Sequence, residues 1–183
     1  MDADLEAVVR GFEAELNGRT VEDCQRHPGG DARRWDAQQI VAHLVMTYRS
    51  TGQLLSRRLE TGQPVGELET LTQRFLQWVV IGRGFFPRGV KAPEFTLPEK
   101  AGWEAKNGEE LVAELRAGLA EMDGVLTECE AKFGPNAVGM HFIFGPLTAR
   151  QWRRFHRVHG LHHLKQVKAL FANEEPPAMP GRQ

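Results

Sequence analysis

Histidines are concentrated near the end of the sequence, where four of the seven lie within residues 152–167. His159 and His163 are four residues apart, a spacing that on a helix places both rings on one face, about 6 Å apart along the axis. Neutral imidazole is a common ligand of first-row divalent metal ions. The spacing therefore predicts that this pair binds one metal ion.

The position of the pair on its helix favours a metal site over an ordinary polar surface. At about 100° per residue, His159 and His163 fall about 20° on either side of Trp152. They therefore lie at the centre of an apolar stripe that also contains Phe155, Val167 and Leu170. Buried imidazole nitrogens need partners. Hydrogen bonding to backbone or carboxylate groups would suffice for a single inward histidine, but a centred pair favours a metal ion.

A third ligand is expected from a facing helix. His43 lies in the inward stripe of the second predicted helix and is the only histidine there. His27 and His141 fall in predicted loops. Three neutral histidines leave a coordination position open, which is typical of catalytic zinc. The sequence predicts one divalent ion held by His43, His159 and His163.

Other polar residues of the last helix have less certain roles. Gln166 lies on the ligand face, at about −40° from Trp152, where it could orient a ligand or the substrate. His162 lies on the flank, either as a proton shuttle and hydrogen-bond donor or as a surface residue. His156 is on the other flank and is expected to be a plain flank residue rather than a fourth ligand. The acidic residues cluster on solvated helix faces, so no carboxylate is assigned as a catalytic base.

The elements that must position these residues are mainly helical. Capping boxes at Asp36, Asn107 and Thr148 each have Gln or Glu three positions later and predict three helix starts. Proline and glycine in 82–103 indicate a long extended connection, and a loop is expected from Pro135 to Pro146. Little or no sheet is expected. Apolar periodicity predicts helices at residues 4–17, 36–60, 67–80, 107–134 and 149–172 of an all-α antiparallel bundle.

Bulk composition limits the classes of function. With 23 basic and 24 acidic side chains, the net charge of −1 gives no electrostatic reason to bind nucleic acid or a membrane. No apolar run approaches the roughly 20 residues of a membrane span. Cys24 and Cys129 are expected to be free thiols in a reducing compartment, which favours a cytoplasmic protein. We expect one domain over residues 1–172 and a flexible tail at 173–183.

The second predicted helix carries a motif that resembles a known family. Trp35, Ile40, His43 and Leu44 form W-x₄-I-x₂-HL, which is similar to the first metal-ligand helix of the DinB-like superfamily. The resemblance implies a four-helix bundle of up-down-down-up topology that is usually a dimer.

The last helix carries the second motif of that superfamily. His159, His162, His163 and Gln166 form H-x-x-HH-x-x-Q, and residues 141–152 resemble a branch of uncharacterised bacterial members. The commoner family ending is HHRGQ, whereas here Leu164 and Lys165 stand between His163 and Gln166. This departure leaves the ligands intact and puts only their surroundings in question. Carried onto this chain, the three-histidine site of the superfamily falls on the same trio as above.

The resemblance also implies an activity. The superfamily includes transferases and isomerases that use low-molecular-weight thiols, so a metal-dependent small-thiol transferase or a hydrolase acting on a small molecule is expected. The alternative is a non-catalytic metal-binding stress or interaction protein. Zinc or nickel is favoured, with manganese, iron and cobalt also compatible. Leu161 and Leu164, which point away from Trp152, predict a seam for a homodimer.

Overall fold

Four long helices dominate a computed structural model that describes residues 1–86 and 92–172. The predicted tail at 173–183 lies outside the described residues. The long helices are α1 (Ala3–Leu16), α3 (Ala37–Thr61), α5 (Gly108–Phe133) and α6 (Ala149–Phe171). The shorter elements are helices α2 (Val21–Cys24) and α4 (Leu71–Leu76) and strands β1 (Ala137–His141) and β2 (Gly145–Thr148).

The long helices begin where the sequence places their caps. Asp36, Asn107 and Thr148 each accept a hydrogen bond from the backbone N–H three residues later, and that residue's side chain accepts one from the cap N–H. Helix α3 ends at Gly62, whose φ of 69° is left-handed and favours glycine. These starts confirm the predictions, because each capping box satisfies backbone donors that the helix leaves unpaired.

Contacts between α1 and α6 show that these helices run parallel. Gly11 of α1 lies against Leu164, and one turn earlier Val8 lies against Gly160. Both glycines sit where the helices approach closely, since a Cβ on Gly160 would come within 2.7 Å of Val8. The short side chains therefore determine the spacing of this pair.

Helix α3 runs antiparallel to α6 and parallel to α5. His43 meets His159, whereas Thr51, two turns further along α3, meets His156, which comes earlier in α6. Along α5, Gly118 lies against Val45 and Met122 lies against Gly52. With α1 parallel to α6, the directions are up, down, down, up, as the resemblance to the DinB-like superfamily implied.

The predicted loop at 135–146 is wrong in part, because it contains most of a two-stranded hairpin. Strands β1 and β2 pair antiparallel, with Gly139 opposite Leu147 and His141 opposite Gly145. Short strands interrupted by glycine and proline carry little alternating pattern, so periodicity did not indicate them. The hairpin packs beside α3 and α6, and its tip forms part of the wall of the cavity described below.

The predicted helix at 67–80 begins later in the structure. Helix α4 begins after Thr70 and continues into a π-helical turn at Gln77–Gly82. Three apolar residues at helical spacing in the predicted segment, Leu68, Leu71 and Phe75, are 88%, 82% and 61% exposed. Apolar periodicity gives the helical repeat but does not distinguish a core face from an exposed apolar face. The long connection from this segment to α5 is present, as predicted.

Gln77 holds the π-helical turn against the hairpin and α6. Its Nε2 donates to the carbonyl of Phe144 at 2.8 Å, and its Oε1 accepts from Gln151 Nε2 at 2.9 Å. Leu76 and Val80, on either side of this anchor, line the cavity. The anchor therefore places the apolar side of the turn over the interior of the bundle.

The predicted dimer seam on α6 does not lie on the surface. Leu164 is 7% exposed and packs against Gly11 of α1, and Leu161 is partly buried against the core. Helix α1 covers this side of α6, which a projection of one helix cannot show. The prediction that Leu161 and Leu164 form an exposed dimer seam is therefore wrong. The homodimer itself stays a prediction. Within the described residues, no helix has both the length and the apolar character needed to cross a membrane.

Candidate metal centre

Three imidazoles from two helices converge inside the bundle. The Nε2 atom of His159 lies 3.3 Å from that of His43 and 3.1 Å from that of His163. One ligand atom from each residue lies within 4.8 Å of the others, and all three residues are buried. The structure thus brings together the three predicted ligands, at a separation that one ion can bridge.

His43 and His163 each make a hydrogen bond through Nδ1, on the side of the ring away from the cluster, which leaves the lone pair of each Nε2 free. His43 Nδ1–H donates to the carbonyl of Thr96 at 2.8 Å, and His163 Nδ1–H donates to Gln166 Oε1 at 2.8 Å. A neutral imidazole carries one proton, so both Nε2 atoms are unprotonated. Such outer hydrogen bonds fix the tautomer and orientation of metal-binding histidines.

His159 completes the set of nitrogen donors. Its Nδ1 is buried and has no hydrogen-bond partner in the described part of the chain. The Nε2 atom of His159 faces the Nε2 lone pairs of both His43 and His163. If Nε2 carries the ring proton, it can donate to only one of them, and Nδ1 is left as a buried acceptor without a partner. A cation placed between the three nitrogens binds all the lone pairs that face one another. The donor set therefore fits a divalent metal ion that prefers imidazole.

Burial keeps the three rings neutral. Desolvation lowers the pKa of His43 and lowers the pKa of His163 to about 3. The pKa of His159 falls well below its usual value, first through burial and then through the neighbouring histidines. At neutral pH the lone pairs are available without displacement of a proton, and protons compete with a metal only in acid.

Gln166 and His162 lie beside the cluster, as the helical projection predicted. Gln166 accepts from His163, and its Nε2 lies 3.4 Å from His162 Nε2. The His162 ring is partly buried and packs on Phe86, with ring centres 4.8 Å apart. These contacts form a chain from His163 through Gln166 to His162, while the roles of Gln166 and His162 stay predictions.

His156, which the helical projection placed on the flank of the ligand face, is fully buried. Its Nε2 lies 3.2 Å from Thr51 Oγ1, and its ring stacks on Trp152. Among the described residues it does not belong to the metal-binding group. Helix α3 and the hairpin cover this flank of α6, and a projection of α6 alone could not include them.

A cavity of about 590 Å³ adjoins the three histidines. Its walls come from α3, α6, the hairpin tip and the connection after α4, and they include Trp152 and Phe155. Phe86, Pro93 and Thr96 are supplied by the connection. Cavities of this size accommodate small-molecule ligands. A small molecule in the cavity would have direct access to the three-histidine cluster.

His141 is a cavity residue that the sequence placed in a loop. It ends strand β1, is 8% exposed, and packs against the Phe144 and Phe155 rings. Helical projection cannot place a residue in a hairpin, so this position was missed. The apolar run that follows it, FIF at 142–144, is the signal that could have indicated that this segment packs in part against the core.

Comparisons with protein-family models, with curated proteins and with solved structures find no match to this chain. The fold and the site therefore define its class directly. It is a mostly helical bundle with a buried cluster of three histidines that could hold a metal ion.

Proposed function

We propose that the protein is a metal-dependent enzyme of the DinB-like kind, which binds one divalent ion through His43, His159 and His163. Zinc or nickel is the leading candidate, and the reaction is transfer to or from a small thiol, or hydrolysis of a small molecule. The observation that carries the proposal is that three neutral imidazoles converge at the wall of a cavity large enough for a substrate. The sequence motifs and the topology agree with it.

The protein's own groups hold the site rigid before any ligand enters. Thr96 fixes the His43 ring, and Gln166 fixes the His163 ring. A divalent ion held by the three histidines would supply a Lewis acid beside the cavity. The apolar walls exclude water, which strengthens electrostatic interactions at the reacting group.

His162 is the candidate proton carrier of the proposed reaction. It lines the cavity and its Nε2 lies beside Gln166 Nε2, one residue away from the ligand His163. We assign it the transfer of a proton between the substrate and the cavity mouth. Gln166 is a positioning residue, because it acts through the rings of its two neighbours.

The alternative function is a non-catalytic metal-binding protein in which the ion only stabilises the bundle. Such a site needs no space beside the ligands. The cavity against the cluster, lined by Trp152 and Phe155, favours catalysis over this alternative.

The test is an assay of the zinc-loaded full chain in two reactions. One is the conjugation of low-molecular-weight thiols to 1-chloro-2,4-dinitrobenzene, and the other is the hydrolysis of 4-nitrophenyl acetate. We expect one reaction to depend on bound metal and to fall to the buffer rate in His159→Ala. His27→Ala, which removes an imidazole that lies outside the cluster, is the matched control and should keep the wild-type rate. Metal-loaded protein that is inactive in both reactions, or a rate unchanged in His159→Ala, would contradict the enzymatic proposal.

A further inference from the structure

The wall of the cavity is aromatic and carries no formal charge in the described residues. Seven Phe and Trp rings line it, among them Trp35, Phe86, Trp152 and Phe155, and no lysine, arginine, aspartate or glutamate from ranges 1–86 and 92–172 does so. The part of a ligand that contacts these rings is therefore mainly apolar and aromatic.

Most polar groups of the wall already have hydrogen-bond partners. Thr47 and Thr96 donate to backbone carbonyls, Thr51 contacts His156, and Gln166 contacts His163. Specific recognition of a polar atom on the ligand needs a donor that these contacts leave free. In the described part of the wall, such donors belong to His141, Ser50, Trp35 and Trp152.

The backbone of the hairpin fixes the tautomer of His141. Its Nδ1 accepts from the N–H of Ile143 at 3.1 Å and from the N–H of Phe144 at 3.3 Å. Backbone N–H groups only donate, so Nδ1 is an acceptor and the ring proton is on Nε2. That Nε2–H has no partner among the described residues, and the His141 side chain lines the cavity. The fold thus presents one oriented donor on an otherwise aromatic wall.

The donor shares a neighbour with the candidate metal centre. Phe155 contacts the His141 ring at 4.7 Å and stacks on the His159 ring at 5.5 Å, measured between ring centres. We propose that the substrate is an aromatic molecule with one hydrogen-bond acceptor, such as a carbonyl oxygen, that His141 Nε2–H binds beside the three histidines. This inference rests on the proposed function, since it names the substrate class of the same site.

The test compares two neutral ligands that differ in one acceptor. Benzophenone and diphenylmethane displace the fluorescent probe N-phenyl-1-naphthylamine from the zinc-loaded full chain, and the ratio of their dissociation constants measures recognition of the carbonyl. We expect wild type to prefer benzophenone by about threefold to tenfold, the value of one hydrogen bond.

Two variants assign the preference to a side chain. His141→Asn places an amide oxygen where Nδ1 accepts the two backbone N–H groups, so the hairpin tip keeps its hydrogen bonds while the Nε2 donor is lost. We expect its ratio to fall to about one. Ser50→Ala removes another free donor of the wall and should keep the wild-type ratio. A preference that persists in His141→Asn, or one that disappears in Ser50→Ala, would overturn the assignment.

The metal content of the same samples separates this inference from the proposed function. A chain that binds one zinc ion but shows no preference for benzophenone overturns the substrate class alone. A chain that binds no metal overturns the proposed function, whatever the ligand ratios are.

Discussion

Burial of histidine side chains gives the interior of this protein its chemistry. An imidazole transferred from water to an apolar interior loses the hydration of its charged form more than that of its neutral form, so its pKa falls. His43, His159 and His163 are therefore Lewis bases at neutral pH. The same burial makes His156 and His141 neutral hydrogen-bonding groups, with pKa values lowered to about 3 and about 4.

Buried His156 makes stability depend on pH in a defined window. Its pKa is about 3 in the folded chain and 6.5 as the ordinary value, so below pH 6.5 the unfolded chain binds the extra proton. The free energy of unfolding is therefore highest above pH 6.5 and falls as the pH drops toward 3, by about 1.4 kcal/mol per pH unit from this group. Urea unfolding of wild type and His156→Gln at pH 7, 6 and 5 measures it. The variant should show the smaller slope, and equal slopes would contradict the buried neutral state.

The three ligands could be predicted at this scale because each lies on a long helix. An angle of 100° per residue places His159 and His163 without any knowledge of neighbouring elements. His141 and His156 could not be placed, because the hairpin and α3 that bury them come from other parts of the chain.

At the scale of elements, the spacing of helices depends on a few glycines. Gly108 begins α5 with its Cα against the backbone of Leu16, the last residue of α1, and its N–H donates to the Arg19 carbonyl at 3.0 Å. A Cβ at this position would collide with the Leu16 carbonyl oxygen. The contact is between backbones, so no side-chain rotation relieves the collision.

Two alanine substitutions in α5 test this packing. Gly108→Ala should lower the free energy of unfolding by about 1–3 kcal/mol, because the ends of α1 and α5 must move apart. Gly124→Ala, in the same helix but exposed and with nothing within 4 Å of its Cβ, should raise it by about 0.5–1 kcal/mol through helix propensity. Chemical denaturation gives both values. Similar effects of the two substitutions would contradict the close approach.

Elements with strong local signals were predicted well, and those held by tertiary contacts were not. Capping boxes located the starts of α3, α5 and α6 to the residue, since the cap is a local hydrogen-bonding pattern. The hairpin and the π-helical turn depend on Gln77, which bonds to residues more than sixty positions away. No sequence window contains such a contact.

At the scale of the whole molecule, the candidate site links distant parts of the chain. His43 and His159 are 116 residues apart, and α3 and α6 also pack through their apolar faces. A bound ion adds a cross-link to a bundle that already has a continuous core. Removal of the metal should therefore lower the free energy of unfolding, while the helices stay folded.

Chelation measures that contribution. At a free metal concentration about a thousand times its dissociation constant, the ion stabilises the fold by about 4 kcal/mol. Treatment with a chelator should then lower Tm by roughly 8–16 °C while circular dichroism at 20 °C stays helical. His159→Ala should show no further shift with the chelator. Equal melting of wild-type protein with and without metal would contradict the cross-link.

The most direct test of the account is the metal content and coordination of the untreated protein. Elemental analysis should give close to one first-row divalent ion per chain, and X-ray absorption should show three imidazole nitrogens at about 2.0–2.1 Å if the ion is zinc. His159→Ala should lose the ion, and His27→Ala should keep it. Protein that holds no stoichiometric ion, or that retains it in His159→Ala, would contradict the three-histidine site.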